Sequence, residues 1–411
     1  MTSNNPHIIH IFNDDKFVDS TISIMEKSYP NMSDYFIIKN TEGFFKYVKS
    51  DKPKSIALIT SEDFSAFVKY LIQQKTEVVF FHALDSYKQK LVNLLPQSIV
   101  KVWLVWGYDL YGNWQLFDKN LYEKETKKYL LKDKVGLKSK IIYSSFSFWL
   151  FHKALHKKIC LPKRVLNILY NSFYQDFYQA AEKIDLVAPV IANEFEFIKK
   201  LKIKAKLVPF SYGCLEDLLQ DNASDTVLES RNILIGNSAD PSNNHLEVFK
   251  KIASFNFEDR KIVVPLSYGG NKEYIAFLVA KGKELFGDNF VPLLNFMTLK
   301  EYNTILSSCG FMIFNHIRQQ GVGNIVSLGY MGAKLFLNGK SPVLSFFSNK
   351  GMTILDANKI TEAQLFENLD SKQLVINRQV LIEEYSSKAV TNKIVTLVEM
   401  VKEQIAIKQK L

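Results

Sequence analysis

The chain has 411 residues, 47% hydrophobic and 13% aromatic, which is too apolar for a disordered polypeptide and too long for one ordinary core, so two domains are expected. Its net charge of +10 is concentrated: Lys119–Arg164 holds 13 Lys/Arg against 3 Asp/Glu, and the remainder is neutral. Three scattered cysteines, Cys160, Cys214 and Cys309, exclude a disulfide framework or a cysteine metal spacing and fit a reducing compartment.

The first block alternates short apolar runs with helical patterns. "HIIHIF" is β-like, and a helical pattern follows over Phe17–Tyr29. "YFIIKN", "SIALIT", "EVVFFHA" and "IVKVWLVWG" continue the β series, with helical stretches such as "SEDFSAFVKYLIQQK" between several of them. Near-continuous apolar strands with intervening helices predict a parallel sheet covered on both faces. From Asn113 to Ala181 the rhythm changes to a charged helical run and then a basic, aromatic one. "IDLVAPV" and "AKLVPFSYG" resume the α/β pattern.

A polar, acidic stretch, "CLEDLLQDNASDTVLESR", reads as the linker. A second alternating block starts near Arg231, with strands at "NILIGNS", "KIVVPLSYGG", "NFVPLLNF", "GFMIFNH" and "KLFLN", and the pattern is helical from Ser371 onward. The expected division is 1–213, with a basic aromatic insertion at about 134–180, then 231–370, then a helical segment 371–411. No run of about 18 apolar residues occurs, so no span is expected, and the N-terminus lacks the regions of a signal peptide.

Ligands of open parallel sheets sit at the carboxyl ends of strands, so the residues just after each strand matter most. "ILIGNSADPSNNH" places Gly236, Asn237 and Ser238 after a strand, with Ser242 as expected N-cap of the next helix. Free amides and the helix dipole favour a phosphate there, although an ordinary turn has the same composition. Gly269 and Gly270 repeat the design in a form that fits a plain turn. The third strand end, "NHIRQQGVGN", carries His316, Arg318, Gln319 and Gln320, then Gly321 and Gly323, where backbone can approach a ligand. An arginine fork matches a diphosphate. Neither a P-loop nor GxGxxG with a ribose-binding carboxylate is present, which argues against an NTPase and a dehydrogenase. The clustering favours a nucleotide-sugar donor site over three plain connectors.

"GNSADPSNNH", "VPLSYGGNKEYI" and "IRQQGVGNI", with "IIHIFNDD", "VVFFHA" and "WLVWGYDLYG" in the first block, resemble glycosyltransferase family 56, the family of the TDP-N-acetylfucosamine:lipid II transferase. The resemblance covers about His7–Tyr111 and Asp185–Asn338. It implies a GT-B fold, α/β, with two Rossmann-like domains facing a cleft and long C-terminal helices. It also implies an inverting, metal-independent transfer with no cofactor beyond a dTDP-sugar donor. By the resemblance, Gly236, Asn237, Ser238, Asp240, Ser242, Asn243, His245, Tyr268, Arg318, Gln319, Gln320 and Gly321 are donor-side residues, and the acceptor is lipid-linked. Pro241 departs from the arginine usual in the family, and the segment 134–179 is expanded.

Inversion requires a base for the acceptor hydroxyl. Asp109, after "VKVWLVWG", is the first candidate, His82 the second and Asp15 the third; the first two also have plainer readings, as a cap or turn residue for Asp109 and a satisfied, partly buried histidine for His82. Aromatic residues beside lysines at Phe146, Trp149, Phe151, Lys153, Lys157 and Lys158 suit an anionic membrane surface, or otherwise a solvated helix. No nucleic-acid module is recognisable. The expected function is a peripheral transferase on the cytoplasmic face of the bacterial inner membrane. It would move a deoxy-amino sugar onto an undecaprenyl-diphosphate-linked saccharide for surface polysaccharide or common antigen. A GT-B transferase with another donor, for capsule or O-antigen, and a non-catalytic nucleotide-sugar-binding protein are the alternatives.

Overall fold

The computed structural model describes residues 5–112, 121–130, 141, 144–201, 203–220 and 226–410. The described residues within Met1–Asp118, Leu131–Tyr212 and Lys393–Leu411 form one compact unit, and those within Lys119–Leu130 and Gly213–Asn392 form a second. Two stretches therefore lie differently from the division read in the sequence. Residues 121–130, expected in the first domain, belong to the second unit, and the C-terminal helical segment is shared between the two.

The first unit is built on a sheet of seven strands: β1 (Ile8–Asn13), β2 (Ser33–Ile38), β3 (Lys54–Ile56), β4 (Val78–His82), β5 (Val100–Leu104), β6 (Leu186–Ala188) and β7 (Lys206–Leu207). Their order is β3-β2-β1-β4-β5-β6-β7, and every neighbouring pair is parallel. All residues of β4 and β5 are buried, as expected when helices cover both faces. The sheet runs 3-2-1-4-5-6, so its direction of winding reverses between β1 and β4, where a doubly wound sheet opens a crevice.

The second unit repeats this plan with β8 (Asn232–Ile235), β9 (Ile262–Pro265), β10 (Phe290–Leu293), β11 (Cys309–Phe314), β12 (Lys334–Leu337) and β13 (Leu355–Asp356). Their order is β10-β9-β8-β11-β12-β13, all parallel. One side of the core gathers Phe249 edge-on to Phe286 and Phe290 around Ile233, Val264 and Leu278. Such rings each add apolar burial on the order of 2 kcal/mol. The winding reverses between β8 and β11, and the loops "GNSADPSNNH" and "NHIRQQGVGN" leave from those two strands.

The charged helical run narrows to Lys124–Leu130 among the described residues; residues 113–120 and 131–140, and with them part of the expected insertion, lie outside them. The remainder of that insertion forms helices Ser145–Leu155, Lys163–Ser172 and Gln175–Ala181 in the first unit. The C-terminal helical pattern is interrupted at Ser386, between helices Ser371–Tyr385 and Ser387–Lys408. Among the described residues no helix is long and apolar enough to cross a membrane.

Candidate active site

In the second unit the switch-point loops interlock through side chains. After β8, Gly236 adopts φ +67°, and a Cβ there would stand 2.6 Å from His245 Nε2. Only glycine lets the chain turn this tightly over the imidazole. Asp240, not Ser242, caps the short helical turn Pro241–Asn243, accepting from the Ser242 amide at 2.9 Å and its hydroxyl at 2.6 Å. The expectation for Ser242 fails because Asn244 adopts a left-handed conformation (φ +51°) and ends that turn, so the helix proper starts later, at His245. Asn243 Nδ2 donates to the Ser238 carbonyl at 3.0 Å and hydroxyl at 3.1 Å, and its Oδ1 accepts from the Asn237 amide at 3.2 Å.

From β11 the second loop locks onto the first. Arg318 Nε donates to Ser242 Oγ at 2.8 Å and Gln320 Oε1 at 2.9 Å. Gln320 Nε2 donates to Asn237 Oδ1 at 2.9 Å and Ser238 Oγ at 3.2 Å. Asn237 Nδ2 in turn reaches the Tyr268 hydroxyl at 3.3 Å, and Tyr268 is itself 45% exposed. One end of the Arg318 guanidinium, Nη2, lies 3.6 Å from Asp240 Oδ2, and no other carboxylate among the described residues pairs with it. The arrangement thus presents N–H groups beside a rigid turn, which is what an anionic ligand requires. Gly321 takes φ +63° ahead of helix Val322–Met331 and delivers that helix to the same edge. Gly323 has a plainer place: a Cβ there would meet only Leu218, at an ordinary 3.5 Å. Gln319 is buried, as are His245 and His316. Burial lowers the pKa of His245 to about 4 and that of His316 to about 3, so both are neutral at pH 7.

Three asparagines that sequence reasoning missed lie beneath these loops. Asn244, Asn315 after β11 and Asn338 after β12 form one buried network: Asn244 Nδ2 donates to the Asn315 carbonyl at 3.0 Å, and Asn338 Nδ2 to Asn315 Oδ1 at 2.8 Å. The signal was present, since in "IFN" and "FLN" an asparagine directly follows a buried apolar strand.

The carboxyl edge of the first sheet is different in chemistry. Asp109 does not face outward. Its Oδ2 accepts from the Leu84 amide at 2.8 Å and Trp103 Nε1 at 2.7 Å, and its Oδ1 from the Trp106 amide at 3.1 Å. Its pKa is raised because burial outweighs these donors. The carboxylate organises the loop after β5, and its oxygens are turned to two backbone amides and an indole N–H instead of to a ligand. His82 is also internal: it is stacked on Phe12 at 3.6 Å, its Nε2 meets His10 Nδ1 at 2.9 Å, and its Nδ1 meets the Tyr212 hydroxyl at 3.2 Å. Burial holds its pKa well below the usual value. A fully buried ring with both nitrogens engaged has no free position for a substrate proton.

Asp15, the third candidate, is half-buried after β1; Oδ1 accepts the Phe17 amide at 3.1 Å, and the carboxylate also bonds the Lys16 backbone. Burial raises its pKa, the direction that strengthens a carboxylate as a base. Beside it, Asn13 Nδ2 donates to Asp85 at 2.7 Å, and the buried Lys88 ammonium pairs with Asp85 and donates to Asn13 Oδ1 at 2.9 Å.

The basic aromatic residues divide. Phe146 and Trp149 are 67% and 49% exposed, stacked at 5.9 Å, with Lys153 over the Trp149 ring. Lys157 and Lys158 are exposed and line a hollow of about 440 Å³ with Leu166 and Tyr170. Phe151 corrects the expectation. It is fully buried between Phe173 and Tyr178, because it lies on the opposite side of helix Ser145–Leu155, so it belongs to the core and not to a surface.

Solved structures share this architecture at low identity. HepE of Anabaena, solved with UDP and glucose, matches with TM-score 0.58 at 10% identity, over 96% of this chain and 100% of that one. The trehalose 6-phosphate synthase of Burkholderia multivorans gives 0.59 at 8%, over 99% of each chain. Sucrose-phosphate synthase of Thermosynechococcus elongatus gives 0.59 at 10%, over 97% and 100%. The fold is that of GT-B glycosyltransferases. The family model described as 4-alpha-L-fucosyltransferase, glycosyl transferase group 56, matches residues 165–392, a range that includes both interlocked loops. The chain belongs to glycosyl transferase group 56 and is a glycosyltransferase enzyme.

Proposed function

We propose that the protein transfers an N-acetylfucosamine-like deoxy-amino sugar from a dTDP-sugar to an undecaprenyl-diphosphate-linked saccharide, with inversion. The observation that carries the donor half is the Arg318–Ser242–Gln320–Ser238 network at the second unit's switch point. Its guanidinium and backbone amides would meet the charge that grows on the departing diphosphate. The acceptor oxygen attacks the anomeric carbon as the carbon–oxygen bond to the diphosphate breaks. The hydroxyl proton passes to Asp15, and the bonding pair leaves with the diphosphate. Asp15 takes this role ahead of Asp109 and His82 because, of the three, it alone is partly exposed, and only backbone amides bond its carboxylate. Metal independence is part of the proposal.

UDP is the second donor base to consider, favoured by the UDP-bound HepE structure of the same fold. The exposed Phe146, Trp149, Lys157 and Lys158, with the half-buried Lys153, support a peripheral seat on an anionic membrane such as the cytoplasmic face of the inner membrane, where each lysine adds about 1 kcal/mol. The test is sugar transfer from dTDP-N-acetylfucosamine to an undecaprenyl-diphosphate-linked acceptor, with and without EDTA. Turnover that persists in EDTA and yields an inverted anomer supports the reading. No transfer from this donor while another nucleotide sugar is used would reject the donor assignment.

A further inference from the structure

Residues 121–130 precede the second block by about a hundred positions, yet they fold onto the second unit. Their seat is specific. The Thr126 amide and hydroxyl donate to the Glu247 carboxylate at 2.8 and 2.7 Å, Glu125 pairs with Lys250 at 2.8 Å, and the Tyr129 ring stacks on Phe277 with centroids 4.4 Å apart. The helix Lys124–Leu130 is thereby fastened along helix His245–Ile252, which starts directly after the "GNSADPSNNH" turn.

The decisive contacts lie at the other end of the segment. The Asn244 carboxamide grips the chain on both sides of Tyr122: its Oδ1 accepts from the Glu123 amide at 2.8 Å, and its Nδ2 donates to the Leu121 carbonyl at 3.2 Å. Glu123 Oε1 accepts from Asn338 Nδ2 at 2.9 Å. The segment is thus tied to the asparagine network that joins the loop after β8 to the ends of β11 and β12, and a side-chain amide holds Tyr122 as a neighbouring strand would. Tyr122 is half-buried there, and no described residue hydrogen-bonds its hydroxyl. Its phenol feels both Asp240 and Arg318, the charged pair of the donor turn, and its pKa is raised, chiefly by burial. It is therefore protonated at neutral pH and able to donate a hydrogen bond.

We propose that Tyr122 is a donor-contacting residue whose hydroxyl donates to the diphosphate of a nucleoside-diphosphate sugar beside Arg318. The inference rests on the donor-site reading above, and it adds that the site is assembled from two stretches far apart in sequence. The segment also lies outside the residues 165–392 matched by the family model.

The test uses the full chain and whichever of dTDP, UDP and GDP the wild type binds most tightly, together with the matching nucleoside. Tyr122→Phe keeps the ring and the segment's backbone ties. Its affinity for the diphosphate is expected to fall about three- to tenfold, the worth of one hydrogen bond, with nucleoside affinity and ligand-free melting temperature unchanged. Tyr122→Ala loses at least as much. Equal diphosphate affinity in wild type and Tyr122→Phe, or an equal loss for diphosphate and nucleoside, overturns the role of Tyr122 and leaves the donor site standing. A wild type that binds none of the three nucleotides overturns the donor site itself.

Discussion

At the switch point of the seven-stranded sheet the chain places rings, buried imidazoles and half-exposed carboxylates, Asp15 among them; at that of the six-stranded sheet it places hydroxyls, carboxamides and a guanidinium. The two sheets wind in the same order over their first six strands, so the backbone topology does not make this difference. The loops do. In the second unit the side chains bond to one another and fix N–H groups in place, which suits a ligand whose charge and shape are constant, such as a nucleoside diphosphate. In the first unit His10, His82, Asp85, Lys88 and Asp109 are consumed in holding the loops, and Asp15 is left facing partly outward. In the proposed reaction one edge binds the charged donor and the other receives the proton.

The largest effect that would sharpen this contrast is expected in Asp15→Asn. Turnover should fall by about 10²- to 10⁴-fold with nucleotide binding unchanged, as for the removal of a general base. Asp109→Asn should instead lower the melting temperature, because it disturbs the acceptor for the Leu84, Trp103 and Trp106 N–H groups. If Asp15→Asn retains full turnover, the first unit's edge has been misread.

A second difference is one of pH. Burial raises the Glu194 carboxyl of the first unit from 4.5 to about 7, so the fold favours its protonated form. The stability this gives is present below about pH 4.5 and is lost as pH rises through 7. Glu194→Gln should therefore remove a loss on the order of 3 kcal/mol between about pH 5 and pH 8, read by denaturant unfolding at several pH values. Identical slopes in wild type and variant would contradict it.

The smallest effect belongs to the exposed stack on helix Ser145–Leu155. Trp149→Ser should reduce sedimentation with vesicles containing acidic lipid by a few-fold and leave soluble nucleotide binding unchanged. Unchanged sedimentation would remove this surface from the account.

The sheets were legible in the sequence because parallel strands buried on both faces read as unbroken apolar runs, as in "VVFFH" and "VKVWL". The motif loops were legible because strand ends, glycines and polar residues coincide there. The two-residue strand β13 was not, since "TILDAN" has only two large apolar residues between polar ones, whereas the equally short β7 lies in the apolar run "KLVPF". Asp109 and Phe151 show a second limit. The residue after a strand, or one turn along a helix, points inward or outward according to the surrounding packing, and composition carries no record of that direction. The seat of residues 121–130 is a third case, since contacts such as Thr126 to Glu247 join positions more than a hundred residues apart. Within the loops after β8 and β11, Arg318 was read as a fork for a diphosphate and is found bonded to Ser242 and Gln320, whereas the cap at Asp240 was assigned to its neighbour Ser242.

The most direct test of the donor site is calorimetric titration of dTDP, UDP and GDP into the wild type and Arg318→Ala. The account predicts that at least one nucleotide binds the wild type and raises its melting temperature. It predicts that Arg318→Ala weakens that binding about ten- to a hundredfold, the worth of charge-assisted hydrogen bonds. Binding of equal strength in both proteins, or of no nucleotide to the wild type, would contradict it.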